Sequence, residues 1–119
     1  LALAMDLTRE QYITLLPKSV TTAISMDVAA ELGGIAALTG AIVILTGIVG
    51  NLLAETVCKA FHITDPIAKG VGIGTSAHAV GTSKALQMGE VEGAMSGLSI
   101  AVAGVLTAVL CPLFVNLID

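Results

Sequence analysis

Two long uncharged runs dominate the pattern of hydrophobic positions. Leu32 to Ala54, LGGIAALTGAIVILTGIVGNLLA, carries no charged side chain, and neither does Gly93 to Ile118, GAMSGLSIAVAGVLTAVLCPLFVNLI. At about 1.5 Å of rise per residue the first run makes a helix of roughly 35 Å, enough to cross a hydrocarbon layer of about 30 Å with some tilt. Two such runs leave too little polar sequence to cover them as the core of a soluble domain. The pattern therefore predicts transmembrane helices at 32–54 and 93–118. Pro112 should kink the second, because it lacks an N–H and its ring crowds the preceding turn.

A different kind of segment precedes each run. Thr8–Gly34 reads TREQYITLLPKSVTTAISMDVAAELGG, and Asp65–Glu90 reads DPIAKGVGIGTSAHAVGTSKALQMGE. Each starts as a weak helix, breaks, and continues as a second short helix. The breaks are predicted at Pro17–Thr22 and around Gly74–Gly81, where proline and glycine interrupt the chain. Asp65-Pro66 fits an N-cap followed by the first helical residue. An offset of 56 places Ser19 on Thr75, Ala23 on Ala79, Ala29 on Ala85, Gly33 on Gly89, Ile44 on Ile100 and Val49 on Val105. The shared architecture is better evidence of a repeat than these identities. The expectation is an all-α integral membrane protein in which long transmembrane helices alternate with broken or re-entrant segments. The weak internal repeat has units 8–56 and 65–118 within one domain, 1–119. Re-entrant breaks would make the repeat inverted and bring both breaks to the bilayer midplane, as in transporters.

Composition agrees with a membrane setting: 55% of residues are hydrophobic and 12% charged, against about 25% charged in soluble domains. The net charge of −4 argues against a nucleic-acid partner, which needs a basic face. Cys58 and Cys111 form no CxxC pair. The small residues Gly93, Gly97 and Ala101, and Gly33, Ala37 and Gly40, make stripes of the kind that let membrane helices approach closely. Lys59, Lys69 and Lys84 outnumber Arg9 and Lys18, a slim bias placing residues 55–92 on the cytoplasmic side. The opening LALAMDL reads as the tail of an earlier apolar segment, so upstream spans are expected.

A break inside a membrane must line a cavity or be buried in protein, since unpaired backbone groups cost several kcal/mol in lipid. Free N–H groups at helix ends attract anions. The hydroxyls of Ser19, Thr21 and Thr22 in the first break, and of Thr75, Ser76, Thr82 and Ser83 in the second, add neutral hydrogen-bonding groups. Gly74 and Gly81 let the chain leave the helix. A small carboxylate is the natural ligand of such a nest, with Lys18 as its counter-charge; Lys84 could serve instead, or both lysines could extend to the interface. His78, with an unperturbed pKa near 6.5, suits proton coupling or a structural hydrogen bond. Asp27 and Glu31, four apart on one helical face, could bind a coupling proton or cation, or simply be solvated at the interface. Enzymatic readings fail. GIGTSA has Ala77 where a dinucleotide fingerprint needs glycine, GTSKA lacks the P-loop GK[ST], and GTSAH ends in His78 where a nucleophile elbow needs glycine. His62 and His78 lack partners at metal-ligand spacing. No catalytic residue, metal or cofactor is expected.

At LLPKSVTTAISMDVAAELGGIAALT and DPIAKGVGIGTSAHAVGTSKALQMGEVEGAMSGL the chain resembles the LrgB/CidB family, over roughly half its length, and matches the C-terminal half of such proteins. Where the family often has Pro after KSVTT, this chain has Ala23. The resemblance implies a bacterial plasma-membrane location and two possible functions. One is transport of a small monocarboxylate such as glycolate, glycerate or pyruvate, as in the plastidal glycolate/glycerate translocator. The alternative is a holin/antiholin-like role in controlling murein hydrolase activity and autolysis. It also implies an LrgA/CidA-type membrane partner, a homo-oligomer, or both.

Overall fold

The computed structural model describes residues 6–116. Among them the chain forms five helices: α1 (Arg9–Leu15), α2 (Thr22–Leu32), α3 (Ala36–Ala60), α4 (Pro66–Met88) and α5 (Glu90–Asn116). The T-x-x-Q spacing at Thr8 starts α1 as a capping box. The Gln11 N–H donates to Thr8 Oγ1 (3.3 Å), and the Thr8 N–H donates to Gln11 Oε1 (3.0 Å), so two orphan N–H groups are paired.

After Leu15 the chain reverses. Ser25 Oγ donates to the Pro17 carbonyl at 2.6 Å; eight residues of continuous helix would hold these positions about 12 Å apart. Thr14 then ties this hairpin to the start of α3. Its Oγ1 accepts from the Ile35 N–H (2.9 Å), and its carbonyl accepts from Thr39 Oγ1 (2.8 Å). Gly33 ends α2 with φ 89°, a left-handed ending that glycine adopts without a β-carbon penalty.

α4 folds back as well. Its backbone is helical except at His78, which has φ 51° and ψ −140°. A β-carbon placed on Gly81 would stand 3.3 Å from the Ile73 carbonyl, a contact that an uninterrupted helix could not make. α4 is thus a helical hairpin with its tip at His78. Ala54 of α3 packs with Ile73 and Met88, one from each arm, and with Ala85. Asp65 caps the first arm by accepting the Ala68 N–H (2.8 Å), with Pro66 next to it as the sequence predicts. A β-carbon on Gly74 would lie 2.5 Å from the Ser96 carbonyl, so α4 and α5 meet nearly backbone to backbone.

Both long helices form, with shifted ends. Leu32 closes α2, and the turn through Gly33 and Gly34 delays α3 to Ala36. At its other end α3 runs past Ala54 because Lys59 pairs one turn back with Glu55 (2.8 Å). α5 begins at Glu90 rather than Gly93 and is helical through Pro112; Ile118 lies outside the described residues. The two helices have mean hydropathies of 2.0 and 2.4, are long and apolar enough to cross a membrane, and keep most of that surface outside the protein core. Leu52 is 72% exposed and Val105 66%.

Three local expectations need correction. The chain leaves the second helix at His78, not at Gly74 or Gly81, which are helical and buried because neighbours approach them. The stripe of Gly93, Gly97 and Ala101 is not one packing face. Gly93 is covered by Leu86, but a β-carbon on Gly97 would meet nothing within 4 Å, and Ala101 is exposed. In the other stripe Gly40 packs on Met26, whereas Gly33 is a helix terminator.

Candidate functional site

The two fold-backs are the places where helix ends and polar side chains meet the middle of the molecule. The first tip is irregular from Leu16 to Thr21, and Thr22 is already helical. Pro17 is fully buried there, held by Ser25. Lys18 and Ser19 are exposed and bonded to each other, Lys18 Nζ donating to Ser19 Oγ at 3.2 Å. Thr21 is the N-cap of α2, and its hydroxyl makes no capping bond. Thr22 packs toward Gly40. At the second tip a β-carbon on Gly47 would meet the Val80 side chain at 3.1 Å. The two tips thus lie two turns apart along α3, beside Gly40 and Gly47.

His78 is the strained element. A positive φ on a non-glycine residue costs about 1–3 kcal/mol and persists only where the surroundings impose it. The residue is 3% exposed, and its Nε2 has no hydrogen-bond partner among the described residues. Its carbonyl accepts from Thr82 Oγ1 (2.9 Å). Asn51 of α3 supports the returning arm, its Nδ2 donating to the Val80 carbonyl (2.7 Å) and to Ser83 Oγ (3.1 Å).

The hydroxyls around the second tip serve the backbone. Thr75 Oγ1 donates to the Val71 carbonyl (2.7 Å), Ser76 Oγ to that of Gly72 (2.6 Å) and Ser83 Oγ to that of Val80 (2.7 Å). Thr82 Oγ1 also pairs with Ser96 Oγ across the α4–α5 contact (2.7 Å). Hydroxyls bonded this way satisfy their own helix. They offer a ligand lone pairs rather than the donors expected from sequence. Thr75, Ser76 and Ser83 are exposed, Thr82 is half-buried, and Gly74 and Gly81 are buried. Asp27 and Glu31 are exposed along α2, away from its tip-side end. Among the described residues no group of three His, Cys, Asp or Glu could hold a metal ion.

Sequence reasoning missed Ser25, Asn51 and Ser96, of which Ser25 and Ser96 are wholly buried. Asn51 carried a usable signal. It is the lone amide in an uncharged run, and polar groups in such runs are costly unless they have a partner. Ser25 and Ser96 looked like ordinary small residues in low-complexity helices.

The segments that build both tips and the helices between them fall within a single match to the LrgB-like family profile, covering residues 1–117. The chain belongs to the LrgB-like family. It is 39% identical over 105 residues to a protein of Bacillus mycoides named antiholin-like protein LrgB, an alignment covering 88% of this chain and 46% of that protein. A Bacillus cereus protein of the same name gives the same values. The chain therefore spans about half the length of the curated relatives it matches. No solved structure matches it. In this LrgB-like chain the matched region includes both hairpin tips, Lys18 and His78.

Proposed function

We propose that the chain is a membrane-embedded part of an antiholin-like protein of the bacterial plasma membrane, acting on murein hydrolase activity and autolysis with an LrgA/CidA-type partner or as a homo-oligomer. The kinship with antiholin-like LrgB proteins carries this reading. In it α3 and α5 cross the bilayer, and the hairpins α1–α2 and α4 enter from opposite faces as inverted units 8–56 and 65–118. The exposed apolar surfaces of α3 and α5 support that placement. So do contacts of the two hairpins at opposite ends of α3, with Thr14 bonded to Ile35 and Thr39 and Lys84 paired with Glu55.

A second reading has one specific observation in its favour. The buried, unpartnered His78 Nε2 lies at the break in α4, and buried polar atoms are rarely left unpaired without a role. This supports passage of a small monocarboxylate, with His78 exchanging a proton and Lys18 balancing the substrate. Ser19, Thr21, Thr22, Thr75, Ser76, Thr82 and Ser83 would line its path, and Asp27 or Glu31 would be the next candidates for coupling.

The natural full-length protein in liposomes separates the readings. Saturable, substrate-selective flux that weakens in Lys18→Met and loses its pH dependence in His78→Gln supports a carrier. A size-limited leak supports a holin. Absence of flux, together with altered autolysis in a deletion strain restored by the wild-type protein, supports the regulatory reading. Normal autolysis in that deletion strain would sink it.

A further inference from the structure

A polar cavity lies away from both tips. It occupies about 560 Å3 where the C-terminal end of α3, the following loop and both ends of the α4 hairpin converge, and Lys59, Lys69 and Lys84 line it. Glu55 is the one acid in the lining, and it holds two of the lysines: Lys59 Nζ at 2.8 Å and Lys84 Nζ at 2.9 Å. Lys69 lies 3.8 Å from Glu92 on α5. Asp65 caps α4 and Glu90 sits on the first turn of α5, both outside the lining. Lys69 and Lys84 are only 22% and 24% exposed, so their charges are less screened than those of surface lysines.

This basic cavity adjoins a second space of a different character, with which it shares lining residues. A groove of about 360 Å3 runs between α3 and the first arm of α4, walled by Leu53, Val57, Ala68 and Ile73. Cys58, Ile63 and Lys69 line both spaces. Phe61, just past the end of α3, is 74% exposed, and Ile67, on the first turn of α4, is 50% exposed. A charged head compartment adjoining an apolar slot matches an amphiphile carrying an anionic head and a hydrocarbon tail. A free phosphate would leave the slot unused. A zwitterionic lipid would bring a quaternary ammonium beside three lysines.

We infer that this junction binds one anionic phospholipid, its phosphate against Lys84 and Lys69 and one acyl chain laid in the groove between α3 and the first arm of α4. The inference rests on α3 and α5 crossing the bilayer, not on whether the protein regulates or transports. Glu55 acts as an internal stand-in for the phosphate, holding Lys84 and Lys59 until the headgroup displaces it.

The test is thermal unfolding of the natural full-length protein in neutral detergent, titrated with phosphatidylglycerol, phosphatidylcholine or glycerol 3-phosphate. Phosphatidylglycerol should raise Tm, and the other two should not. Each of Lys84→Gln and Lys69→Gln should weaken the apparent affinity for phosphatidylglycerol about fivefold, the usual effect of one lysine at an anionic lipid surface. Ala68→Phe, which fills the groove and keeps every lysine, should also weaken it. Glu55→Gln should leave it equal or tighter. A merely structural ion pair would make Glu55→Gln as harmful as Lys84→Gln and leave lipid preference untouched, which would overturn the inference. An equal shift with phosphatidylcholine, or the whole shift with glycerol 3-phosphate, would overturn it too. Alkaline extraction of native membranes checks the premise separately. Protein released by it removes the bilayer placement, whereas retained protein without phosphatidylglycerol preference removes only the lipid site.

Discussion

Replacing His78 by glycine and, separately, by alanine tests the fold-back at its single non-helical residue. Both substitutions delete the buried ring and the unpaired Nε2, whose burial alone costs about 1–3 kcal/mol, so those contributions cancel when the two variants are compared. What remains is the backbone. At φ 51° and ψ −140° alanine keeps the steric penalty of about 1–3 kcal/mol, and glycine removes it. Glycine in turn frees the unfolded chain by about 0.4–1 kcal/mol. The glycine variant should therefore be the more stable by about 1–2 kcal/mol. A continuous helix predicts the opposite sign, since glycine inside a helix is about 0.5–1 kcal/mol worse than alanine. Equilibrium unfolding of the two full-length variants in mixed micelles reads the difference directly. If alanine equals or exceeds glycine, the chain does not turn at His78 and the case for a site there collapses. A glycine variant that is stable yet defective in autolysis control or flux would separate the functional role of the ring from its structural cost.

Gly74→Ala should destabilise strongly and separate α4 from α5, because its β-carbon would lie 2.5 Å from the Ser96 carbonyl. Gly97→Ala, with nothing within 4 Å, should be neutral or stabilise by up to about 1 kcal/mol; comparing the two melting temperatures checks this. Asn51→Leu removes the 2.7 and 3.1 Å bonds to the Val80 carbonyl, which keeps the Ser83 hydroxyl, and to Ser83 Oγ; a loss of about 0.5–1.5 kcal/mol is expected, with protease cleavage near residues 78–83 rising as the returning arm loosens. Ser25→Ala removes the 2.6 Å bond to the buried Pro17 carbonyl; a loss of about 1 kcal/mol is expected, together with faster hydrogen exchange at residues 16–21.

The long helices were legible because their signal is simple. An uncharged run of sufficient length is a helix in almost any membrane context, and Asp65-Pro66 marks a helix start by local chemistry alone. The first break was legible for a similar reason, since Pro17 lacks a donor and sits among hydroxyl residues. The second was found within its range, since His78 lies between Gly74 and Gly81, but its cause was not. Gly74 and Gly81 look like breakers, yet both are helical and serve close approach, one to Ser96 and the other to the opposite arm. Glycine's two uses, turning and close packing, read identically in sequence. His78 turns because α3 and α5 confine both arms of the hairpin. That constraint is tertiary and leaves no local mark. The cluster of Glu55, Lys59, Lys69 and Lys84 was invisible for the same reason, since the fold-back is what brings both ends of α4 to the same end of α3.

The hydroxyl-rich stretch from Gly72 to Leu86 looked like a ligand nest, and the hydrogen bonds assign most of it a different task. Thr75, Ser76, Thr82 and Ser83 each return their proton to a carbonyl of α4, and Asn51 serves the arm beyond the turn. Such bonds satisfy the helix's own carbonyls, whatever the protein does. Function is therefore better sought in the polar group this accounting does not use. Among the described residues the buried side-chain atom without a partner is His78 Nε2, carried by the same residue that bears the backbone strain. A purely structural turn would place glycine there, removing the strain and the unpaired nitrogen together. A histidine that costs stability on both counts is the first residue whose ring the flux and autolysis assays should test.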